Sequence, residues 1–165
     1  MRQRRPGSNE FYDIVESPLG TIYLIFSSAL LIGISFTKPD EILFRHKESK
    51  AAVKKELAEY FKNGLTEFKC KTAFVTGTVF EKIIWETLQK VPYGETRTYK
   101  WLAEEIDRPK AFRSVGNALG KNPIPIVFPC HRIIESDGSI GGYSQGIGIK
   151  RRLLDIEYYS KQAKT

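Results

Sequence analysis

The residues with the clearest chemical potential in this 165-residue chain are Cys130, His131 and Arg132, which stand side by side directly after Pro129. A thiol attacks carbon only as the thiolate, and neighbouring cations favour that form over an ordinary pKa of about 8.5. His131 and Arg132 are suited to supply that charge. The approach to them, Pro123-Ile124-Pro125-Ile126-Val127-Phe128-Pro129, is an apolar, strand-like run. Its prolines lack a backbone donor, so they stiffen it and keep it out of a central strand. The residues alone leave a second reading open, in which Cys130 is a small buried hydrophobe without reactivity. The remaining cysteine and histidine, Cys70 and His46, give neither a disulfide framework nor the close Cys-x-x-Cys or His-x-x-x-His spacing of a zinc site. No metal and no cofactor is expected, and an intracellular chain keeps both thiols reduced.

Two small lobes, residues 1–77 and 78–165, are expected to position this segment. In the first, residues 11–16, 21–27 and 30–37 read as strands around a Pro18-Leu19-Gly20 turn and suggest an antiparallel meander. A helix over 50–62 would cover it, with Val53, Leu57 and Tyr60/Phe61 at helical spacing and Asn63-Gly64 as its stop. Residues 64–77 read as a polar link, with one short strand around 68–74.

The second lobe reads as mainly helical. A helix over 79–90 carries Ile83, Ile84 and Leu88 on an apolar face and stops at Pro92-Tyr93-Gly94. A short helix over 99–106, a break at Asp107-Arg108 and a helix beginning at Pro109 then predict a helix-turn-helix. At about 100° per residue, Lys110, Arg113, Ser114, Asn117 and Lys121 of that last helix fall on one side, and Phe112, Val115 and Leu119 on the other. Gly116 and Gly120 lie beside the basic face, where a backbone or a phosphate could approach closely. Such a stripe is equally consistent with an ordinary solvated helix face.

The 26 basic residues against 19 acidic ones give a net charge of +7, which favours a polyanionic partner through counterion release. No run approaches the roughly 20 uncharged apolar residues of a membrane span, and the start, Met1-Arg2-Gln3-Arg4-Arg5, lacks the apolar core of a signal peptide. The expectation is a cytoplasmic monomer, nucleoid-associated if the source is prokaryotic, with no membrane partner.

Pro129-Cys130-His131-Arg132-Ile133-Ile134 resembles the Pro-Cys-His-Arg-Val/Ile motif of the O6-alkylguanine-DNA alkyltransferases. The likeness runs on through Pro92-Tyr93-Gly94-Glu95-Thr96, Tyr99, Asn122-Pro123-Ile124-Pro125, Ser139-Ile140-Gly141-Gly142-Tyr143-Ser144, Lys150 and Glu157, about half the chain in the family's order. It implies a ribonuclease-H-like α/β lobe before the helix-turn-helix lobe. It also implies irreversible transfer of an alkyl group, such as methyl, from O6 of guanine in double-stranded DNA to Cys130, after minor-groove binding and base flipping. His131 would take the thiol proton through a water, Glu157 would orient His131, and Asn122 would tie the recognition helix to the active-site segment. Tyr99 would crowd the phosphate 3′ to the lesion and could protonate the departing guanine, and Arg113 would enter the stack. Lys100, Arg108, Lys110, Ser114, Gly116, Asn117 and Ser136 would meet DNA, and Tyr143, Ser144 and Ile133 would enclose the flipped base.

Three rivals stay in view, one of them a plain DNA-binding helix-turn-helix module, which would leave the closing loop and Glu157 without purpose. A non-catalytic alkyltransferase-like lesion sensor would recruit other repair factors, but such proteins replace the motif cysteine. A Cys-His hydrolase would need a separate histidine, and His46 lies in a charged segment of the other lobe.

Overall fold

The computed structural model describes residues 9–39, 43 and 52–165. His46, the basic stretch 1–8 and the first two residues of the helix expected over 50–62 lie outside the described residues. Contacts divide the chain into two units, Met1–Val75 and Thr76–Thr165.

In the first unit, β1 (Glu10–Ser17), β2 (Gly20–Ser27) and β3 (Leu30–Ser35) form an antiparallel sheet in that order. The hairpin closes over Pro18-Leu19 with Ser17 opposite Gly20, whose φ of +99° suits a residue without a Cβ. Along β2, Ile22, Leu24 and Phe26 are buried while Thr21, Tyr23 and Ile25 are half-buried, the period of two that strand geometry imposes. Helix α1 (Ala52–Asn63) turns Val53, Leu57 and Tyr60 inward, and its Lys54 Nζ donates to the buried Asp13 carboxylate of β1 at 2.7 Å.

The strand expected around 68–74 does not form. Only a bridge between Leu31 and Thr72 appears, because the backbone donors of Lys69 and Cys70 go to the Glu56 carboxylate of α1, at 2.9 and 3.1 Å, rather than to a ladder. Burial and that carboxylate push the Cys70 thiol up to about 12, so it stays protonated and inert.

The second unit opens with α2 (Val79–Thr87), entered through a reciprocal cap in which Thr78 Oγ1 accepts from Glu81 N at 3.2 Å and Glu81 Oε2 accepts from Thr78 N at 2.9 Å. A 3-10 turn, Leu88–Lys90, extends it. Then follow β4 (Arg97–Thr98), α3 (Tyr99–Glu105), α4 (Phe112–Gly120), β5 (Ile133–Ile134) and α5 (Ile147–Ala163), with β4 and β5 paired in parallel. Trp85 fixes α2 against α4 through a bond from Nε1 to Ala118 O at 2.7 Å. No helix among the described residues is long and apolar enough to cross a membrane.

Two expectations are corrected here. Helix α4 begins at Phe112, not Pro109, because Arg108-Pro109-Lys110-Ala111 closes a turn with Ala111 N on Arg108 O at 2.8 Å, and Pro at its second position presets that geometry. Lys110 therefore sits in the turn. Phe112, expected on the core face, is 53% exposed at the helix start, and Val115, Ala118 and Leu119 form the buried face. Secondly, residues 123–129 are not strand-like. They fold back in buried turns, with Phe128 N on Ile124 O at 3.1 Å and Ile126 at φ +73°.

Candidate active site

Cys130 opens a 3-10 turn, Cys130–Arg132, and is 5% exposed. Asn122, at the end of α4, holds the segment before it. Its Nδ2 donates to Phe128 O at 2.8 Å and to Cys130 Sγ at 3.2 Å, and its Oδ1 accepts from Ile124 N at 3.1 Å. One amide thus satisfies three groups and fixes where the sulfur points. Sγ faces a cavity of about 60 Å³ lined by Tyr99, Leu119, Gly120, Gly142, Tyr143 and Ser144. Burial pushes the Cys130 thiol above its ordinary value, while Asn122, Tyr143 and the positive charge of Lys150 pull it down.

The cation beside Cys130 is not the expected one. Arg132 turns away and grips Glu157 through two bonds of 2.9 Å, from Nε to Oε2 and from Nη2 to Oε1, with Nη1 on Val91 O at 2.7 Å. Its charge is spent on that carboxylate. His131 is fully buried, with Nε2 2.7 Å from Glu157 Oε1. Burial lowers the His131 pKa even against the pull of Glu157, so the ring is neutral at pH 7 and Nε2–H donates to the carboxylate. Burial works against the Glu157 charge, yet His131 and Arg132 hold its carboxyl well below the usual range. The other ring nitrogen, Nδ1, is buried and has no hydrogen-bond partner. With Nε2 the donor, Nδ1 carries a lone pair and can accept a proton.

The family model described as "6-O-methylguanine DNA methyltransferase, DNA binding domain" matches residues 79–159. A methylated-DNA–protein-cysteine methyltransferase of Methanosarcina barkeri is 41% identical over 153 residues, covering 89% of this chain and 96% of the relative. The chain belongs to the methylated-DNA–protein-cysteine methyltransferase family. A crystal structure of Mycobacterium tuberculosis OGT in complex with DNA superposes with a TM-score of 0.84 at 35% identity, covering 91% of this chain and 94% of that one. The O6-methylguanine-DNA methyltransferase of the hyperthermophilic archaeon Pyrococcus kodakaraensis gives 0.73 at 28% identity, covering 89% and 99%.

In this member of the methyltransferase family, Cys130, Tyr99, Tyr143 and Ser144 share one cavity, with Asn122 bonded to the sulfur. His131 and Glu157 form a separate buried pair, and no hydrogen bond joins His131 to Cys130 among the described residues. Ile133, expected beside the flipped base, is fully buried and does not line that cavity, and its carbonyl accepts from Lys150 Nζ at 2.6 Å. Arg113, Ser114 and Asn117 are exposed on α4, and a Cβ on half-buried Gly116 would touch the Tyr99 ring at 3.9 Å. Lys100 and Ser136 line a neighbouring groove with Tyr99, whereas Arg108 and Lys110 lie apart on the turn between α3 and α4. No cluster of three or more His, Cys, Asp or Glu suited to a metal occurs among the described residues.

Lys150 is the functional residue that sequence reasoning left without a role. It is 1% exposed, and its Nζ donates to Ile133 O at 2.6 Å and to Gly142 O at 3.2 Å, joining β5 to the loop over the cavity. Burial lowers its pKa to about 8, against the charges of Cys130 and Glu135. Its spacing from Leu153 and Glu157, three and seven residues, puts all three on one helix face and was a readable sign of burial. A Lys150→Met variant should stay folded and react on the order of tenfold more slowly with an alkyl donor. The pH profile of Cys130 alkylation by iodoacetamide should move to higher pH. An unmoved profile would mean that Lys150 only ties the loop.

Proposed function

We propose that the protein repairs alkylated DNA directly, by taking the alkyl group from O6 of guanine onto Cys130. The observation that carries this reading is the assembly around the sulfur: a buried thiol aimed by Asn122 into a small cavity beside Lys150, with a neutral histidine in the same turn held by Glu157. The names of the relatives and the DNA complex of the neighbouring structure support it.

Guanine O6 is out of reach of a thiolate while the base is stacked and paired, so the nucleotide must be extruded. Helices α3 and α4 act as a helix-turn-helix laid in the minor groove, where small Ser114 and Gly116 suit the narrow space, while Ala118, which the sequence also offered, faces the core. Arg113 occupies the vacated stack, Tyr99 crowds the backbone as the nucleotide rotates, and exposed Lys100, Arg108, Lys110, Asn117 and Ser136 meet the strand. Tyr143 and Ser144 enclose the base, and the Ile133 carbonyl holds Lys150. The thiol proton passes through a water to His131 Nδ1. Sγ then attacks the alkyl carbon in line as the carbon–oxygen bond breaks, its electron pair stays on the guanine, and Tyr99 supplies a proton to that leaving group. Burial, with Glu135 and Cys130, raises the Tyr99 pKa, which keeps the phenol a proton donor.

The product is a thioether, and nothing in the site offers a route to hydrolyse it, so each molecule acts once. The N-terminal sheet with α1 is read as a ribonuclease-H-like lobe, and the protein as a monomer that works where the DNA is, in the cytoplasm or nucleoid. The test is to mix the protein with a duplex carrying one O6-methylguanine and to follow intact and peptide mass. The expected result is a gain saturating at one methyl per chain, on the Cys130 peptide. Tight binding without methyl gain would make the protein a lesion sensor.

A further inference from the structure

Three depressions on the second unit share walls and form a path. The cavity at Cys130 has Tyr99 as one wall, and Tyr99 also lines a groove of about 250 Å³ with Lys100, Pro109, Phe112, Glu135 and Ser136. Pro109 in turn lines an open shelf of about 430 Å³ that carries Arg108 and Lys110. In the middle of this path stands Phe112, exposed because the turn at Pro109 delays the start of α4.

A half-exposed phenyl ring flanked by cations suits a ligand with an apolar face between anionic groups. A strand of DNA has that pattern, since each deoxyribose lies between two phosphates. Lys100 stands in the groove, Arg113 follows Phe112 directly, and Arg108 and Lys110 occupy the shelf beyond. Glu135 is the acid of the groove, and among the described residues its carboxylate forms no ion pair. It disfavours a phosphate there and leaves the spot to the neutral sugar, with the phosphates falling to the cations on either side.

We propose that Phe112, backed by Pro109, is the apolar wall for the deoxyribose beside the flipped nucleotide, and serves extrusion of the base rather than transfer of the alkyl group. This rests on the reading of the chain as an acceptor of alkyl groups from DNA. Apolar side chains hold deformed minor-groove DNA in the same way elsewhere. Arg113 would fill the stack while Phe112 holds the displaced backbone, so the first turn of α4 supplies both.

The test compares wild type, Phe112→Ala and Phe112→Leu on two substrates. One is a duplex with a single O6-methylguanine; the other is free O6-benzylguanine, which offers a reactive carbon without extrusion. Phe112→Ala should react about tenfold more slowly with the duplex and within about twofold of wild type with the free base. Phe112→Leu should recover most of the duplex rate. An equal loss on both substrates would make Phe112 a support of the Cys130 cavity and overturn the proposal, as would an unchanged duplex rate. A wild type inert toward both substrates would instead sink the alkyl-transfer reading, and this proposal with it.

Discussion

A Cys130→Ala variant is expected to bind the O6-methylguanine duplex with wild-type affinity and to accept no methyl group at all. Affinity should persist because Lys100, Arg108, Lys110, Arg113, Ser114 and Asn117, assigned to DNA, are exposed on α3, α4 and the turn between them, while Cys130 lines its cavity and is 5% exposed. Transfer should vanish because no second nucleophile is at hand. The other described thiol, Cys70, belongs to the other unit and is held protonated, with its pKa pushed up to about 12. Folding should suffer little. The change removes one sulfur from a small cavity and leaves the Asn122 amide with Phe128 O still bound, so the loss is about 1 kcal/mol, that of a single weak acceptor. Binding by electrophoretic shift and methyl gain by mass spectrometry separate the two effects. Residual transfer in the variant would mean that another residue carries the chemistry.

The sequence was most legible where local pattern and tertiary structure agree. The three strands of the first unit form almost at the expected residues, and β2 alternates along its length, where a slip by one residue would invert the buried face, whereas β3 buries Leu31 to Ile34 in a row. Cys130, Asn122 and Glu157 were legible through their motif, and their bonds join residues far apart in sequence that no periodicity relates. The failures have particular causes. Pro109 suits the first position of a helix and the second position of a turn equally well, and the backbone bond from Ala111 to Arg108 decided for the turn, which exposed Phe112. The apolar composition of 123–129 signalled burial correctly, but the Asn122 side chain supplies the partners that a sheet would have supplied. Arg132 stands only two residues after Cys130, yet a 3-10 turn sends its guanidinium to Glu157, and the positive charge that acts on the sulfur is that of Lys150, 20 residues on. Charge adjacency along the chain is a poor guide where the backbone turns that tightly.

Replacing Glu157 by alanine should destabilise the second unit by about 3–5 kcal/mol, the cost of leaving a buried charge without its partner. The carboxylate accepts from Arg132 three times, from His131 and from Gly94 N at 3.1 Å. Without it the Arg132 guanidinium, 6% exposed, keeps Val91 O and the face of Tyr93 at 5.6 Å, neither of which carries a charge. Glu157→Gln preserves the shape and separates the roles. It should fold more stably than the alanine variant yet transfer methyl about a hundredfold more slowly, because burial then lowers the His131 pKa with no carboxylate to oppose it. The sign of the pH dependence follows from both groups. The folded-state pKa of Glu157 is depressed below its ordinary 4.5, so its contribution is complete above that value and is lost as pH falls through the folded pKa. That of His131 is depressed below 6.5, so its unfolded form takes up the proton first and stability already declines below pH 6.5. Wild type should therefore weaken in two stages on acidification, and Glu157→Gln should lose only the lower stage. Both tryptophans, Trp85 and Trp101, lie in the second unit, so their fluorescence during urea unfolding from pH 8 down to pH 2 covers both stages. An unchanged lower stage in the Gln variant would show that Glu157 is not the group that titrates there.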